Sequence, residues 1–489
     1  MSDEIHIHYY NAAHVQISCE NHGILNEISD HFSFEIEGAR FNPLVKNHMW
    51  DGHIHLLNRS NNTIYAGLLP HIIKFAEDRK YQYTIDQKLF NVLAKNADFN
   101  GAEYIKSLNI KSIIPHDFQI NAVEHIIKHK RCLCLSPTSS GKSFLIYCLL
   151  RWYLQNLKGK ILVIVPLIDL TQQLLEEFKQ YSSFDIASEV HLIHGGIDKL
   201  SDKRIICSTW QSLYKMPKKY FEQFDAILFD ECHETLCSKA SKGIADKCVN
   251  AEYRVGLTGT IKKTKLNRLV LEGNTGELLQ VTTTKKLMDD GKVSKLSIKC
   301  VILKYPPSIR KDNKKLSYDE EKRFITQYAT RNKIIAKLAI GIKDENVLIL
   351  SKSLDHIAAL QEELEHSGKK IFVITGDTDT DIRIKNKLET ELLTNVIIIA
   401  TEKIFSTGIS VKNLQNLIMT TGGKSNTRIL QSIGRILRLD GKLNKCTLYD
   451  FVDDFSFGKK KNYMLKHFFE RVQIYGEEGF EFVLNNINL

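Results

Sequence analysis

Short apolar runs alternate with amphipathic stretches along most of this chain, beginning near residue 113. The apolar runs have the length of strands, as at residues 160–165 and 226–229. The stretches between them, such as residues 119–130, repeat isoleucine and valine at helical spacing. Strands that alternate with helices in this way predict a parallel sheet with crossover helices.

The same pattern starts again after about residue 290, so we expect two α/β units in tandem. Within the second unit, residues 319–342 predict one long helix and residues 306–318 an exposed loop. Residues 459–475 predict a basic amphipathic helix. Strands are expected at residues 296–303, 346–350, 370–373, 396–400, 417–419 and 446–448.

The first hundred residues follow a different pattern and predict a small α+β domain. Residues 5–9 and 15–18 alternate as strands do, and Asp51-Gly52 between apolar runs indicates a hairpin turn. Residues 101–112 are expected to be a linker. The predicted domains are residues 1–100, 101–290 and 291–489.

Composition favours folded domains, since 43% of the 489 residues are apolar and 25% are charged. The net charge of +10 is uneven, at −4 over residues 1–110, +5 over 111–290 and +9 over 291–489. If the protein has a polyanionic partner, this distribution places the partner on the last two thirds; an ordinary solvated surface is the alternative. Ten cysteines without CxxC spacing indicate neither a zinc site nor a disulfide framework. With no apolar run of membrane-spanning length and no secretory signal, we expect a cytoplasmic protein without a membrane partner.

The stretch from Leu133 to Ser143 predicts a phosphate-binding loop, because an apolar strand runs into small polar residues that end in Gly141-Lys142-Ser143. Gly141 lets backbone N–H groups approach phosphates, Lys142 supplies a charge for the β- and γ-phosphates, and Ser143 offers a hydroxyl to Mg²⁺. Ser136 stands where this loop usually has its first glycine. A polar turn is the alternative for the loop taken alone.

Two carboxylates, Asp230 and Glu231, follow the apolar run at residues 226–229. An aspartate at this strand end can hold the Mg²⁺ that Ser143 also touches, and the neighbouring glutamate can accept a proton from an attacking water. A solvated turn is the alternative.

Near the end of the chain, Gln431, Arg435 and Arg438 share one helical face at spacings i, i+4 and i+7. Two arginines aimed across a gap suit the γ-phosphate charge of a transition state. The alternative is a helix that packs its isoleucines and leaves its arginines in solvent.

Arg40 and Asn42, beside Phe41, are candidates for nucleic-acid contacts in the first domain. Core packing is the alternative for Phe41, and the net negative charge of this segment weakens the nucleic-acid interpretation.

Gly-Lys-Ser, Asp-Glu-Cys-His, Thr-Gly-Thr and Gln-x-x-Gly-Arg-x-x-Arg occur in this order, and together they resemble the motifs of superfamily 2 helicases over about residues 113–455. The resemblance implies two RecA-like domains that use ATP and Mg²⁺, with ATP between them. Gln119 would read the adenine, and Glu231 would activate water. Phosphate binding is implied for Ser139, Ser140, Gly141, Lys142 and Ser143. Metal binding is implied for Ser143 and Asp230, and transition-state contacts for Gln431, Arg435 and Arg438.

The same resemblance implies residues that meet nucleic acid. Coupling between nucleotide state and nucleic acid is implied for His233, Thr258 and Thr260. Contacts with the strand backbone are implied for Pro166, Thr171, Gln172, Thr209, Ser351, Thr401 and Gly408.

Phe32-Ser33-Phe34, Arg40-Phe41-Asn42-Pro43 and Trp50-Asp51-Gly52 ahead of a short helicase core are similar to the UvsW family of tailed-phage recombination and repair helicases. This resemblance covers nearly the whole chain. It implies an ATP-driven helicase for Holliday junctions, stalled forks, D-loops and R-loops. The implied partners are branched or single-stranded DNA and RNA–DNA hybrids, in the host cytoplasm if the chain is phage-encoded; protein partners are unknown.

Two other functions remain open on the sequence. An RNA helicase or the motor subunit of a restriction system would keep the motor, although no nuclease motif occurs. A nucleic-acid clamp that uses ATP only as a switch belongs to another class, and an intact Glu231 argues against it.

Overall fold

The computed structural model describes the chain at residues 3–36, 38–92, 96, 98–194, 197–236, 238–261, 264–376, 378, 380–402, 413–421, 423, 426–437, 445–458 and 460–489. Its contacts divide the chain into two units. One unit comprises Met1–Ser136 with Gly141–Val281, and the other comprises Pro137–Ser140 with Thr282–Leu489.

The first hundred residues form a small α+β module within the first unit. Its four-stranded mixed sheet has the order β5-β2-β1-β6, and β3 pairs antiparallel with β4 beside it. The strands are β1 (Ile5–Tyr9), β2 (His14–Ser18), β3 (Ser33–Glu35), β4 (His53–His55), β5 (Thr63–Tyr65) and β6 (Tyr83–Ile85). The helices are α1 (His22–His31), α2 (Pro43–Lys46), α3 (Leu69–Arg79) and α4 (Gln87–Val92).

The rest of the first unit is a seven-stranded parallel sheet in the order β13-β7-β12-β11-β8-β10-β9. Its five central strands are almost wholly buried, which explains their near-continuous apolar sequences. They are β7 (Arg131–Leu135), β8 (Lys160–Val165), β9 (Val190–Ile193), β10 (Ile205–Thr209), β11 (Phe224–Phe229), β12 (Tyr253–Thr258) and β13 (Leu278–Gln280). The helices are α5 (Gly101–Ser107), α6 (Asp117–His129), α7 (Lys142–Asn156), α8 (Ile168–Tyr181), α9 (Trp210–Leu213), α10 (Lys218–Phe221), α11 (Cys232–Thr235), α12 (Lys239–Lys247) and α13 (Lys265–Thr275).

The N-terminal module packs on helix α13, so the first unit has a joint core. Leu269 and Val270 of α13 belong to the same buried cluster as the module's apolar residues. The backbones approach so closely that a Cβ added to Gly67 would lie 2.1 Å from the carbonyl oxygen of Glu272. The buried Glu272 carboxylate also accepts a hydrogen bond from His71 at 2.8 Å.

The second unit holds another seven-stranded parallel sheet, in the order β16-β17-β15-β18-β19-β14-β20. The strands are β14 (Lys295–Lys304), β15 (Val347–Ser351), β16 (Ile371–Ile374), β17 (Ile397–Thr401), β18 (Asn416–Met419), β19 (Lys445–Asp454) and β20 (Phe482–Asn488). The helices are α14 (Thr284–Asp289), α15 (Pro307–Asp312), α16 (Tyr318–Gln327), α17 (Ala329–Gly341), α18 (Leu354–Leu364), α19 (Thr380–Leu392), α20 (Asn426–Ile436) and α21 (Tyr463–Glu477).

Two fully buried ion pairs brace the second sheet. Arg471 donates to both carboxylate oxygens of Asp450 at 2.8 Å, and the hydroxyl of Tyr475 donates to the same carboxylate at 3.0 Å. Arg331 donates to both oxygens of Asp453 at 2.7 and 3.2 Å. Paired and hydrogen-bonded in this way, charges are tolerated in a core.

The predicted fold class is confirmed, since two parallel α/β sheets follow a small mixed α+β module. The prediction of one helix over residues 319–342 is wrong, because Tyr328 takes an extended conformation between α16 and α17. The loop expected at residues 306–318 contains α15, which uses Pro307 as a favourable first residue. The final strand β20 was not predicted.

Two further expectations in the first unit need correction. The linker expected at residues 101–112 contains α5, which buries Ile105 in the core. Asp51-Gly52 directly precedes β4 and belongs to the connection between the antiparallel strands β3 and β4, so the hairpin exists but its connection is longer than a two-residue turn. The domain boundaries at residues 100 and 290 stay a prediction.

Candidate active site

The phosphate-type loop connects β7 to α7 and has unusual backbone geometry. Gly141 has a φ of 83° and Ser139 a φ of 70°, both in the left-handed region. A Cβ on Gly141 would lie 2.3 Å from Nε2 of Gln119. Only glycine therefore fits at this position. The Gln119 side chain is buried and accepts from the backbone N–H of His116 at 2.9 Å.

Lys142 points its ammonium group at the carboxylate of Glu231, which follows strand β11. Its Nζ lies 3.2 Å from Oε1 of Glu231 and 3.5 Å from the carbonyl oxygen of Ser136, to which it donates. Ser143 is the second residue of α7 and is half-buried. The loop lysine and the candidate base are thus in direct contact, although β12 lies between β7 and β11 in the sheet. Both follow the carboxyl ends of parallel strands, where sheets of this kind bind their ligands.

Asp230 and Glu231 follow the carboxyl end of β11, the central strand of the sheet. The backbone N–H of Asp230 donates to Ile164 of the adjacent strand β8 at 2.9 Å. Glu231 has a φ of 43°, an uncommon conformation for a residue with a side chain, and its N–H donates to Oδ1 of Asp230 at 3.0 Å. Backbone strain of this kind clusters at functional sites.

The pKa values of the two carboxylates are shifted in opposite directions. Burial and the charge of Glu231 raise the pKa of Asp230 above its ordinary value, against the effect of Lys142. Burial acts to raise the pKa of Glu231 too, but Lys142 and His233 hold it well below its usual range. Environments that separate two neighbouring pKa values in this way are typical of sites that divide roles between carboxylates.

His233 and Thr258 extend this network toward the next strand. Nδ1 of His233 lies 2.6 Å from Oγ1 of Thr258 and 3.3 Å from Oε2 of Glu231. Burial acts to lower the pKa of His233, but hydrogen bonds to Glu231 and Glu234 raise it to about 9. The charged imidazole therefore donates at neutral pH. Thr258 in turn donates to the carbonyl oxygen of Thr260 at 2.8 Å.

The donor set fits Mg²⁺ bound together with phosphates. The Asp230 carboxylate and the Ser143 hydroxyl are hard oxygen ligands, and Mg²⁺ usually combines one or two carboxylates with substrate phosphates and water. Among the described residues there is no cluster of three His, Cys, Asp or Glu side chains suited to a metal. A metal held by protein side chains alone would need such a cluster, whereas a phosphate-bound Mg²⁺ would not.

Of the three residues predicted for transition-state contacts, the structure describes two. Gln431 and Arg435 lie one turn apart on α20 of the second unit, with Gln431 buried. Arg438 lies outside the described residues.

The predicted nucleic-acid contacts have mixed surroundings. Arg40, Asn42 and Gln172 are exposed, and Pro166 and Thr401 are half-buried. Three others have buried side chains with internal partners. Thr171 donates to Ile168, Thr209 lies 3.1 Å from Ser212, and Ser351 lies 3.0 Å from Nδ1 of His356. Gly408 lies outside the described residues, and these contacts stay predictions.

Comparison with known proteins settles the family. The family described as "DNA helicase UvsW, N-terminal" matches residues 4–86, "Type III restriction enzyme, res subunit" matches residues 112–263, and "Helicase conserved C-terminal domain" matches residues 330–440. The ATP-dependent DNA helicase uvsW of Enterobacteria phage T4 is 37% identical over 99% of this chain and 100% of its own length. This chain belongs to the UvsW family. It is an ATP-dependent DNA helicase.

Two further comparisons agree with that family. The crystal structure of T4 UvsW covers 99% of both chains at 33% identity, with a TM-score of 0.52. The DNA 3'-5' translocase XPB2 of Sulfurisphaera tokodaii is 25% identical over 67% of this chain and 79% of its own length. In the parts of this UvsW-family chain that the structure describes, no helix combines the length and apolar composition needed to cross a membrane.

Two features of this UvsW-family structure could not be predicted from its sequence. The packing of the N-terminal module on α13 joins residues some 200 positions apart, as in the His71–Glu272 pair. Gly67 and Gly273 allow the two backbones to approach, but a glycine alone does not predict such a contact. The second feature is the Asp450–Arg471 pair, whose residues belong to none of the sequence motifs.

Proposed function

We propose that this chain is a DNA-stimulated ATPase that unwinds and branch-migrates Holliday junctions, stalled forks, D-loops and R-loops. The observation that carries the ATPase part is the contact chain from Lys142 through Glu231 to His233 and Thr258. The branched substrate rests on the family, since the protein of phage T4 that resembles this chain over its whole length is a UvsW helicase.

In this proposal Lys142 exchanges one anion for another. Its ammonium group pairs with Glu231 in the structure, and phosphate oxygens would take it over when ATP binds. Glu231 would then be free to orient the attacking water and accept its proton, because the carboxylate that Lys142 releases is ionised at neutral pH. Ser143 and Asp230 would hold Mg²⁺, which supplies positive charge to the phosphates when bound.

The remaining site residues would complete and regulate this chemistry. We assign Gln119 to the adenine, backbone groups of Ser139, Ser140 and Gly141 to the phosphates, and Gln431, Arg435 and Arg438 to the transition state. His233 would couple Glu231 to DNA through the strand end that holds Thr258 and Thr260, because its imidazole contacts Glu231 and Thr258 together.

The N-terminal module offers a surface for a DNA branch. Phe41 is 66% exposed, the Arg40 guanidinium lies 5.0 Å from its ring centre, and Met49 is 74% exposed nearby in sequence. Aromatic and arginine side chains exposed together suit unpaired bases at a junction. Asn42 caps α2 through Leu44 at 2.9 Å and so fixes this loop.

The experiment compares ATPase rate and strand separation on single strands, duplex and a four-way junction, for the wild type and Arg40→Ala. We expect the junction to give the highest rate, and Arg40→Ala to weaken junction binding while keeping hydrolysis on single strands. Equal rates on all three DNAs would overturn the branched-DNA assignment.

The same experiment separates the other functions. Stimulation by RNA in place of DNA would favour an RNA helicase, and ATP-dependent binding without strand separation or branch migration would favour a clamp. A translocase active on long linear duplex without junction preference would favour a restriction-type motor. The surface substitution is better than removal of residues 1–100, because that removal would expose the part of α13 on which the module packs.

A further inference from the structure

The second unit contains an open cavity of about 480 Å³ at the carboxyl ends of β15, β17 and β18. This volume lies within the range of about 300–1,000 Å³ typical of small-molecule sites. The roles assigned above do not use this cavity.

One wall of the cavity is aromatic. The ring of Tyr318 stands edge-on to that of Tyr463, with centroids 6.0 Å apart and an angle of 86°. The His467 imidazole lies 5.6 Å from Tyr318 on the same side. Tyr318 and Tyr463 are 37% and 39% exposed, so part of each ring is open to a ligand.

A buried carboxylate fixes this wall. Glu321, one turn after Tyr318 on α16, accepts hydrogen bonds from the backbone N–H groups of Tyr463 and Met464 at 2.8 and 2.7 Å, and from the side chain of Asn462 at 2.9 Å. The first turn of α21 is therefore locked to α16. Held in this way, the two tyrosines lose little freedom when a ligand binds.

The floor and the opposite side combine apolar and polar groups. Leu350, Met419 and Ile429 form a buried apolar floor. Lys352 and Glu402 face the same space, 3.6 Å apart. A flat heterocycle with hydrogen-bonding edges matches this mixture better than a purely apolar ligand does.

A lysine rim borders the aromatic wall. Lys466 lies over the Tyr463 ring at 5.4 Å, and Lys461 lies over the exposed Phe469 ring at 4.1 Å. Lys314 and Lys460 line an adjoining depression together with Tyr463. All four lysines are exposed, so their ammonium groups are accessible to phosphates beside a stacked base.

We propose that this cavity binds a nucleobase in the corner between Tyr318 and Tyr463, stacked on one ring and against the edge of the other, while the lysine rim holds the flanking phosphates. Aromatic platforms with basic borders are the general solution for binding single strands without sequence preference. The base can come from a DNA strand or from a free nucleotide. The lysines favour the strand, and that choice rests on the DNA-binding function proposed above.

The cavity also touches the helix that carries the predicted transition-state residues. Ile429 and Ser432 of α20 line it, while Gln431 and Arg435 lie on the same helix. A bound base would therefore contact the element through which hydrolysis is proposed to be assisted.

The test measures affinity for a twelve-residue thymidine strand and for an abasic strand of the same length, in the absence of ATP. Wild type should prefer the thymidine strand, and Tyr318→Leu/Tyr463→Leu should lose about tenfold of that preference, the magnitude of one stacked base. Affinity for the abasic strand should stay unchanged, because its phosphates keep the lysine rim. Tyr318→Phe/Tyr463→Phe should restore the preference.

Phe184→Leu is the matched control, since Phe184 is 39% exposed and stacks with Arg151 in the first unit. Single Tyr463→Leu provides the same readout if the double variant does not fold. Equilibrium dialysis with thymidine monophosphate forms the free-nucleotide arm, and loss there alone assigns the site to free nucleotides. If neither arm changes relative to Phe184→Leu, the nucleobase site is wrong. Branch preference is not measured, so this failure is distinct from failure of the proposed function.

A second variant tests the rim. Lys460→Gln/Lys466→Gln should weaken both strands alike and reduce the salt dependence of binding by about 0.7 in logarithmic slope for each phosphate that the rim no longer neutralises. An unchanged slope would contradict phosphate binding by these lysines.

Discussion

The two parallel sheets of this helicase have the same strand count and use charge in opposite ways. In the first unit, Glu231 forms ion pairs with Lys142 and with His233. These pairs lie at the carboxyl ends of the strands, where a ligand can compete for each partner. In the second unit, Arg471 and Asp450 form a pair that is fully buried and satisfied on both carboxylate oxygens. One fold therefore supports an exchangeable ionic site in one copy and a permanent ionic brace in the other.

Two histidines show the same contrast. His233 of the first unit has its pKa raised to about 9, because hydrogen bonds to Glu231 and Glu234 outweigh its burial. His356 of the second unit has its pKa lowered to about 3 by burial and by the charge of Arg331. At neutral pH the His233 imidazole is charged and belongs to the candidate active site. The His356 imidazole is neutral and forms hydrogen bonds inside the core.

Lys142→Ala should abolish ATP hydrolysis, with a loss of about a thousandfold or more, because the phosphates lose their point charge. Thermal unfolding should be nearly unchanged, since the lysine occupies an exchangeable site. Turnover assays and melting curves on the same preparation check both statements. Normal turnover would contradict the assignment of this loop to ATP binding.

Asp450→Ala should have the reverse profile and destabilise the second unit by about 3–5 kcal/mol, because it leaves the Arg471 charge buried without a partner. Denaturant unfolding measures this. The control is Glu389→Gln, which breaks the largely exposed ion pair with Lys370 and should cost less than about 1 kcal/mol. Equal effects of the two substitutions would contradict a bracing role for the buried pair.

Acid should destabilise the second unit through His356. Above pH 6.5 the imidazole is neutral in both states. Between pH 6.5 and about 3 the unfolded chain takes up a proton that the folded unit does not, so stability falls as pH falls, by up to about 1.4 kcal/mol per pH unit. His356→Gln should flatten the stability curve between pH 6 and 4 by about one proton. His366→Gln, at an exposed histidine of the same unit, should leave the slope unchanged, and equal slopes in all three proteins would contradict the buried neutral state.

The exchangeable site was largely predictable from the sequence, and the brace was not. Lys142, Asp230, Glu231, His233 and Thr258 each follow or end an apolar strand, and parallel sheets bring their carboxyl ends to one edge. Asp450 lies inside β19 and Arg471 on α21, where sequence alone favours solvated charges. Their pairing depends on long-range packing, for which a single sequence carries no local signal.

The prediction of one continuous helix over residues 319–342 was wrong for a similar reason. Tyr328 separates α16 from α17 because its ring packs 5.1 Å from that of Tyr305 and 5.5 Å from that of Phe324. The local sequence around Tyr328 has neither glycine nor proline to end a helix. Tertiary contacts decided this break, as they decided the addition of β20 to the sheet edge.

ATP affinity of Glu231→Gln tests the exchangeable site most directly. The substitution removes the anion that pairs with Lys142 at 3.2 Å, so the lysine no longer has to leave a carboxylate when phosphates bind. We expect ATP to bind at least as tightly as to the wild type, while single-turnover hydrolysis falls by two or more orders of magnitude, about the contribution of a general base. Weaker ATP binding, or hydrolysis at the wild-type rate, would contradict the proposed exchange.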